Sequence, residues 1–305
     1  MKHVCKFCIF FAFFAFVFVF AYAQTTLMTF SETMSLVSEI APDFQNVLDN
    51  DFSKFSDTEL IEAFITVSSN NDRKDELLAF YEEKAKTFDE ALAEQLAQEI
   101  FEDNSYEAQY LIADTINQQM HRIFLRRYNK NSFKISDLKD TQSYDCVSAS
   151  LLYVALLTRH NIPCSAIETS DHVLIKVPLE AKDVFVETTN FYGFDPGSKK
   201  EFQSNFGKTT NFTYVAPGRY KLFDDLPMKK LLALVIQNDI FIKTKEKKYV
   251  EAANLAYILK ILRNDESGKN SYSSVLTNLA GYMSKENNKK GLYEESYKWI
   301  QDLPQ

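Results

Sequence analysis

The stretch SYDCVSASLLYVALLTRHNIP, residues 143–163, predicts one buried helix with a defined beginning and end. Asp145 is a good N-cap residue, which places Cys146 in the first helical turn. At the other end, residues 159–163 (RHNIP) combine cations, an asparagine that tolerates left-handed geometry, and a proline that stops the helix. Because the run between these ends is mostly apolar, we expect the helix to lie inside the core.

Cys146 is predicted to be a free thiol. The other cysteine outside the first 23 residues is Cys164, and a helix over 147–159 would hold the two roughly 20 Å apart at ~1.5 Å per residue. A lone cysteine beside an apolar helix is usually a small buried hydrophobe. The position also suits a nucleophile, because a helix start and a protonated histidine lower the pKa of a thiol, although Asp145 opposes this. The helix alone leaves both interpretations open.

Residues 1–23 predict an export signal. Lys2 and Lys6 give a basic start, an apolar run covers 9–20, and AYA at 21–23 has the small-x-small form of a cleavage site. Cleavage there predicts a periplasmic or secreted protein with no integral membrane span. The alternative is an uncleaved membrane anchor, for which the apolar run is somewhat short.

The composition favours an acidic protein with a soluble surface. Loss of Lys2 and Lys6 with the signal leaves 32 basic against 42 acidic residues and takes the net charge from −8 to −10, which argues against binding nucleic acid. Seven glycines with many Asn, Lys, Phe and Tyr residues are typical of an AT-rich bacterial genome. Two cysteines and three histidines beyond the signal show no metal-ligand spacing, and the sequence has neither a phosphate-binding glycine loop nor GxSxG. We therefore expect no metal and no cofactor.

Hydrophobic periodicity divides the mature chain into three regions of an α+β protein. Residues 24–105 have apolar side chains at helical spacing, with a capping box at Ser56 and Glu59. Residues 106–222 form the predicted core, in which the central helix packs on an antiparallel sheet, and residues 223–305 return to helical periodicity. Within the core, β-rich runs are predicted at 165–167, 173–177 and 184–189, with a turn-rich segment at 131–143 and a Gly/Asn/Phe-rich connection at 190–218.

The C-terminal region contains a weak internal repeat. Asn238 with residues 249–252 is echoed by Asn278 with residues 293–296, at offsets near 40. Two helix hairpins of this kind resemble tetratricopeptide-type repeats and would offer a surface for a protein partner. A plain helical cap on the central domain is the alternative.

The second and third β-rich runs predict a hairpin that pairs a histidine with a carboxylate. If His172 lies opposite Glu187, the apolar residues of the two strands face each other and a charged pair lies near the turn. The same register puts the Glu187 carboxylate on the face of His172, near enough to hold the imidazole. The other pairs of this register are Val173 with Val186, Leu174 with Phe185, Ile175 with Val184, and Lys176 with Asp183.

These motifs together resemble the core of the transglutaminase-like superfamily, in particular its exported bacterial members. The resemblance is carried by YDCVS at 144–148, NIP at 161–163, DHV at 171–173 and VETT at 186–189. It covers residues 115–200 well and the tail loosely. It implies a papain-like fold with Cys146 on the central helix, His172 on a strand, and Glu187 at the position where the family usually has aspartate.

The resemblance implies a catalytic triad in which Cys146 attacks an amide carbonyl, His172 moves the proton, and Glu187 fixes the imidazole. The backbone N–H of Cys146 is a candidate oxyanion donor, with the side chain of Gln142 as a second. Tyr144 is expected to line the cleft, and Asn190 is an alternative residue for orienting His172.

The function expected from this site is that of an exported cysteine enzyme acting on peptide, isopeptide or glutamine side-chain amides through a thioester. Hydrolysis is preferred over transamidation, because nothing in the sequence identifies a site for an amine acceptor. The superfamily also contains inactive relatives, so the alternative is an envelope module that binds peptides or proteins without catalysis. The expected partners are a peptide or protein substrate and a protein bound by the C-terminal helices.

Overall fold

The computed structural model describes residues 30–97, 106–170, 172–210, 215–216, 219 and 222–287. Over these residues the protein is α+β, with eleven α-helices and a small antiparallel sheet, as the sequence predicts for the fold class. The predicted signal peptide lies outside the described residues. No helix within the described ranges combines the length and the apolarity that crossing a membrane requires.

The helices are α1 (Phe30–Val37), α2 (Pro42–Asp49), α3 (Asp57–Val67), α4 (Lys74–Leu96), α5 (Tyr106–Ile123), α6 (Ile135–Thr141), α7 (Cys146–Arg159), α8 (Lys200–Thr210), α9 (Met228–Lys245), α10 (Tyr249–Arg263) and α11 (Glu266–Asn287). The strands are β1 (Arg127–Tyr128), β2 (Ser143–Tyr144), β3 (Ser165–Thr169), β4 (Val173–Pro178), β5 (Asp183–Val186) and β6 (Phe223–Leu226).

The chain divides into two compact units. The larger unit comprises Ala41–Asp239 and Ile261–Arg263, and the smaller comprises the segments up to Ile40, Ile240–Lys260, and Asn264 onward. In the smaller unit, the Asn254 side chain donates hydrogen bonds to three carbonyls near the end of α1. The helical tail is confirmed as far as Asn287, whereas residues 293–296 of the predicted repeat lie outside the described residues.

Helix α7 is the centre of the larger unit and confirms the prediction from residues 143–163. All its residues from Val147 to Leu157 are buried, because the helix has no wide polar face to present to water. Asp145 is the N-cap and accepts hydrogen bonds from the backbone of Val147 and Ser148. Asn161 has the predicted left-handed conformation, at φ 57°. The helix contacts α3, α5 and β4.

The sheet has the strand order β5-β4-β3-β6, with every neighbouring pair antiparallel. The predicted hairpin exists, but its predicted register is wrong by two residues, since Ile175 pairs with Val186 and Val177 with Val184. A shift of two keeps each side chain on its predicted face, so the apolar pattern alone does not distinguish the two registers. Lys176 lies opposite Phe185 instead of Asp183, and its ammonium pairs with Asp225 of β6 at 2.9 Å.

Several local predictions need correction. The turn-rich segment 131–143 contains α6, the connection 190–218 contains α8, and the third β-rich run ends at Val186 instead of residue 189. Strand β6 was not predicted at all. Local propensity is a weak signal for such elements, because tertiary contacts override it. The capping box at Ser56 and Glu59 is confirmed, with Glu59 N donating to Ser56 Oγ at 3.2 Å and Ser56 N to Glu59 Oε2 at 2.7 Å.

Candidate active site

Cys146, His172 and Glu187 come together within the larger unit. Nε2 of His172 lies 2.6 Å from Oε2 of Glu187, and the same imidazole lies close enough to the thiol of Cys146 to lower its pKa. Because Nε2 is occupied by the carboxylate, Nδ1 is the ring nitrogen left for the thiol. The order thiol, imidazole, carboxylate is that of a nucleophile, its proton carrier and an orienting acid.

Each of these residues stands at the end of a regular element. Cys146 is the first residue of α7, His172 directly precedes β4, and Glu187 directly follows β5. In the observed register, Glu187 and His172 are on the same face in diagonal instead of opposed positions, a separation that long side chains can bridge. The length of a glutamate suits this diagonal. The carbonyl of His172 accepts hydrogen bonds from the N–H and hydroxyl of Thr169, which fix the main chain here.

The Glu187 carboxylate is 1% exposed and hydrogen-bonded at both oxygens. Oε2 faces His172, while Oε1 accepts from the backbone N–H of Thr189 at 3.2 Å and from its hydroxyl at 2.5 Å. Burial favours protonation of this carboxyl group, but His172 and Thr189 outweigh it and lower its pKa. Glu187 is therefore a fixed negative charge beside the imidazole.

The surroundings of His172 favour the protonated form of its ring. Burial of the ring disfavours its charge, but the carboxylate of Glu187 and then the thiol of Cys146 outweigh burial and raise the pKa of His172 well above its ordinary value. The His172 side chain is 14% exposed, so solvent reaches its edge. The ring thus lies between a carboxylate that favours its charged form and the sulfur of Cys146.

The expected depression of the Cys146 pKa is not observed. Burial raises the pKa of the thiol above its ordinary value, and His172 lowers it only in part, while Asp145 and Glu187 also raise it. A sequence pattern indicates the helix start and the histidine but not how far the sulfur is removed from water. Cys146 is a free thiol, as predicted, and its raised pKa favours the protonated form.

Asp145 caps α7 directly beside Cys146. Its Oδ1 accepts from the backbone of Val147 and Ser148 at 2.9 and 2.8 Å, and its Oδ2 accepts from Nδ2 of Asn238 at 3.1 Å. Burial raises the pKa of Asp145 to about 7, even though these hydrogen bonds favour the charged form. The cap therefore titrates near neutrality and adds a negative charge next to Cys146 as the pH rises.

A cleft of about 170 Å³ opens beside Cys146 and His172. It is bounded by the start of α7, by the turn between β3 and β4, and by the part of α9 that belongs to the larger unit. Polar groups make up much of its wall. The lining residues are Cys146, Val147, Glu168, Thr169, Ser170, His172, Val173, Leu234, Gln237 and Asn238.

The three secondary candidates lie outside this wall. Gln142 ends α6 in a left-handed conformation, and its carbonyl accepts from the N–H groups of Arg126 and Arg127. Tyr144 is 3% exposed, and its hydroxyl donates to the carbonyl of Thr189 at 3.1 Å, behind the carboxylate instead of in the cleft. The Asn190 side chain accepts from the N–H of Tyr192, so Glu187 and not Asn190 orients His172.

Sequence reasoning missed Asn238 as a cleft residue, because it lies 92 positions from Cys146 and was read only as part of the tail repeat. Asn117 and His121 of α5 were not predicted as site residues either. The helical spacing of these two, at i and i+4, was the available signal that they share a face. Both donate hydrogen bonds to main-chain carbonyls next to Glu187.

Comparison of the chain with protein-family models, with curated proteins and with solved structures gives no match.

Proposed function

We propose that this chain is an exported, transglutaminase-like cysteine enzyme that cleaves peptide, isopeptide or glutamine side-chain amides through a thioester on Cys146. The observation that carries the proposal is the series of thiol, imidazole and buried carboxylate beside an open cleft, in which the imidazole is hydrogen-bonded to the carboxylate and lies next to the thiol. Many helices have an asparagine or aspartate cap, so the cap by itself indicates no activity. A cysteine at the first helical position, next to a histidine that is paired with a carboxylate, is suited to acyl transfer.

In the first half-reaction, the thiol of Cys146 loses its proton to solvent and the imidazolium of His172 stabilises the thiolate. The sulfur attacks the amide carbon, an S–C bond forms, and the carbonyl oxygen becomes an oxyanion. His172 then gives its proton to the nitrogen as the C–N bond breaks, so that a neutral amine leaves and a thioester remains. Glu187 stabilises the ring in its charged state and holds it in one orientation.

In the second half-reaction, the now neutral His172 takes a proton from water, and the hydroxide attacks the thioester. Collapse of the oxyanion breaks the S–C bond, releases the acid and restores the thiolate and the imidazolium. An amine in place of water would give transamidation by the same steps. Hydrolysis is preferred, because the small cleft admits water and none of the described residues marks a separate site for an amine acceptor.

The backbone N–H of Cys146 is the best-placed oxyanion donor. It is the first amide of α7, and no described residue accepts a hydrogen bond from it. The N–H groups of Val147 and Ser148 are already bonded to Asp145 and are not available. An oxygen at this point would lie at the positive end of the helix, where developing negative charge is stabilised.

A second candidate is a non-catalytic module that binds peptides or proteins through the same cleft, with the helical tail as a further binding surface. The raised pKa of Cys146 favours it, because a protonated thiol is a weak nucleophile. The two candidates differ in whether Cys146 forms a covalent bond with an acyl group.

The test is labelling of the purified chain with an electrophilic acyl probe, followed by mass-spectrometric mapping. We expect acylation of Cys146 and not of Cys164, whose pKa burial raises to about 12. Cys146→Ala should abolish labelling and Cys164→Ala should leave it unchanged. A folded chain that the probe does not label over pH 6–9 would instead support the binding module.

A further inference from the structure

The loop that carries Glu187, residues 187–193, is held by side chains from outside the cleft. Four successive carbonyls of this Glu187 loop accept hydrogen bonds from residues of α5 and β2. These bonds run from His121 Nε2 to Thr188 at 3.0 Å, from the Tyr144 hydroxyl to Thr189 at 3.1 Å, and from Asn117 Nδ2 to Asn190 and Phe191 at 3.1 Å each.

Tyr144 connects through this loop to the thiol. Its hydroxyl donates to the carbonyl of Thr189, and the hydroxyl of Thr189 donates to Oε1 of Glu187. Oε2 of Glu187 lies 2.6 Å from Nε2 of His172, and the imidazole of His172 lies next to the thiol of Cys146. Residues 144, 187, 188 and 189 are at most 3% exposed, so water does not compete for these bonds.

His121 acts as a fixed neutral donor. A carbonyl oxygen only accepts, so Nε2 of His121 must bear the hydrogen that reaches Thr188. Burial lowers the pKa of His121 to about 4, which keeps the ring uncharged at neutral pH. Its ring also packs against the edge of Tyr144, with centroids 5.6 Å apart.

The Asn117 side chain is oriented toward the Glu187 loop, and this orientation leaves its own oxygen without a hydrogen bond in the part of the chain that the structure describes. It is fully buried, and its Nδ2 serves two carbonyls while its Oδ1 has no hydrogen-bond partner among the described residues. A flipped amide would point that oxygen at two carbonyl oxygens. The observed orientation leaves one buried acceptor unsatisfied and keeps the Glu187 loop bonded.

We propose that Asn117, His121 and Tyr144 are positioning residues that fix Glu187 against His172 and so set the reactivity of Cys146. This inference rests on the proposed function, because it assigns these residues to the orienting acid of that site. It gives α5 and β2 a role in the chemistry although neither contributes a residue to the described cleft wall.

The decisive comparison is between two buried tyrosines. Tyr144→Phe removes one hydroxyl that donates to the Glu187 loop, whereas Tyr153→Phe removes a hydroxyl that donates to the carbonyl of Ala113 at 2.9 Å in the same core. We expect Tyr144→Phe to slow iodoacetamide alkylation of Cys146 about threefold to tenfold, the factor that corresponds to one net hydrogen bond. Tyr153→Phe should lose similar thermal stability and keep the wild-type alkylation rate.

The pKa of His172, followed by NMR of the ring protons, is a second measurement. A purely structural role of Tyr144 would leave this pKa unchanged. It should fall in Tyr144→Phe, because a looser carboxylate stabilises the imidazolium less, and stay in place in Tyr153→Phe. If the two variants alkylate alike and share one His172 pKa, Tyr144 has no positioning role.

A second pair of variants tests His121 by rescue. His121→Gln keeps an N–H donor for the Thr188 carbonyl and should alkylate within about twofold of wild type, whereas His121→Phe loses the donor and should be slower by about threefold to tenfold. Equal rates for the two would overturn the inference for His121. An alkylation rate that does not respond to His172→Ala would instead defeat the proposed function itself.

Discussion

The two ends of α7 contain the same kinds of residue in different arrangements. At the N-terminal end are Cys146, His172 and the carboxylate of Glu187. At the C-terminal end are Cys164, His160 and a carboxylate, Asp89, whose Oδ1 lies 3.2 Å from Nε2 of His160. From residue types alone, either end qualifies as a cysteine–histidine–acid site.

The carboxylates make the first difference. Glu187 is 1% exposed and faces one cation, whereas Asp89 is 36% exposed and accepts hydrogen bonds from Nε and Nη2 of Arg159. Nε2 of His160 has no hydrogen-bond partner among the described residues. Arg159 has a fixed charge and several donors, and it binds the Asp89 carboxylate that His160 would need as a partner.

The histidines therefore titrate in opposite directions. The expected role of His160 as a cation at the helix end is not supported, because burial lowers its pKa and the charge of Arg159 lowers it further against the pull of Asp89. The pKa of His172 is raised instead. Proximity of residue types is thus insufficient to raise the pKa of a histidine, and the carboxylate beside it must also be buried and not shared with another cation.

The strongest test of this contrast exchanges each histidine for alanine. His172→Ala should slow alkylation of Cys146 at pH 8 by about 10- to 100-fold, because the thiolate loses its counter-charge. His160→Ala should not change that rate. In the wild type the rate should climb as pH rises toward the raised pKa of the thiol, since only the thiolate reacts. A profile that is flat from pH 6 to 9, or equal loss in the two variants, contradicts the assignment.

A second test disturbs the Glu187 loop through its glycine. A Cβ on Gly193 would lie 1.8 Å from the carbonyl oxygen of Glu187, so Gly193→Ala must displace the turn, whereas a Cβ on Gly197 meets no atom within 4 Å. We expect Gly193→Ala to lower the free energy of unfolding by about 1–3 kcal/mol. We also expect it to slow Cys146 alkylation about tenfold, because the carboxylate moves away from His172.

Gly197→Ala is the matched control for this change. It lies in the short helical turn Pro196–Ser198, and denaturant unfolding and alkylation should both match the wild type. If Gly193→Ala alkylates at the wild-type rate in the folded protein, the position of Glu187 does not govern the thiol.

The smallest expected effect is at the cap of α7. Asparagine caps helices as well as aspartate does, so Asp145→Asn keeps the cap and removes a charge that raises the pKa of Cys146. Alkylation at pH 8 should become about three- to tenfold faster. Because burial raises the pKa of Asp145 to about 7, the folded wild type binds a proton more tightly than the unfolded chain, and its stability falls as pH rises from about 4 to 7. The variant should lack that decline.

Ser56→Ala separates capping from charge. It removes the capping box of α3 and should cost about 1 kcal/mol of stability without changing the alkylation rate. If Asp145→Asn slows alkylation instead of accelerating it, the cap geometry matters more to Cys146 than the charge does.

Features that depend on neighbouring residues were predictable. The bounds of α7, its Asp145 cap and the left-handed Asn161 follow from side chains within a few positions of the helix ends. The free state of Cys146 follows from the length of the helix that separates it from Cys164. The pattern of period two placed His172 and Glu187 on one face, and that face survives the error of two residues in the register.

The tertiary structure decided which acid lies beside which histidine, in which direction the pKa of the thiol shifts, and what holds the Glu187 loop. Local propensity and capping act within a few residues along the chain, so a sequence records them directly. Burial and charge pairing depend on residues that are distant in sequence, such as Asn117 and Asn238, and only the packed core brings these to the site. The sequence therefore determined the helix and its free thiol, and the tertiary structure decided that the histidine at one end of that helix, and not the one at the other, has its pKa raised by a buried carboxylate.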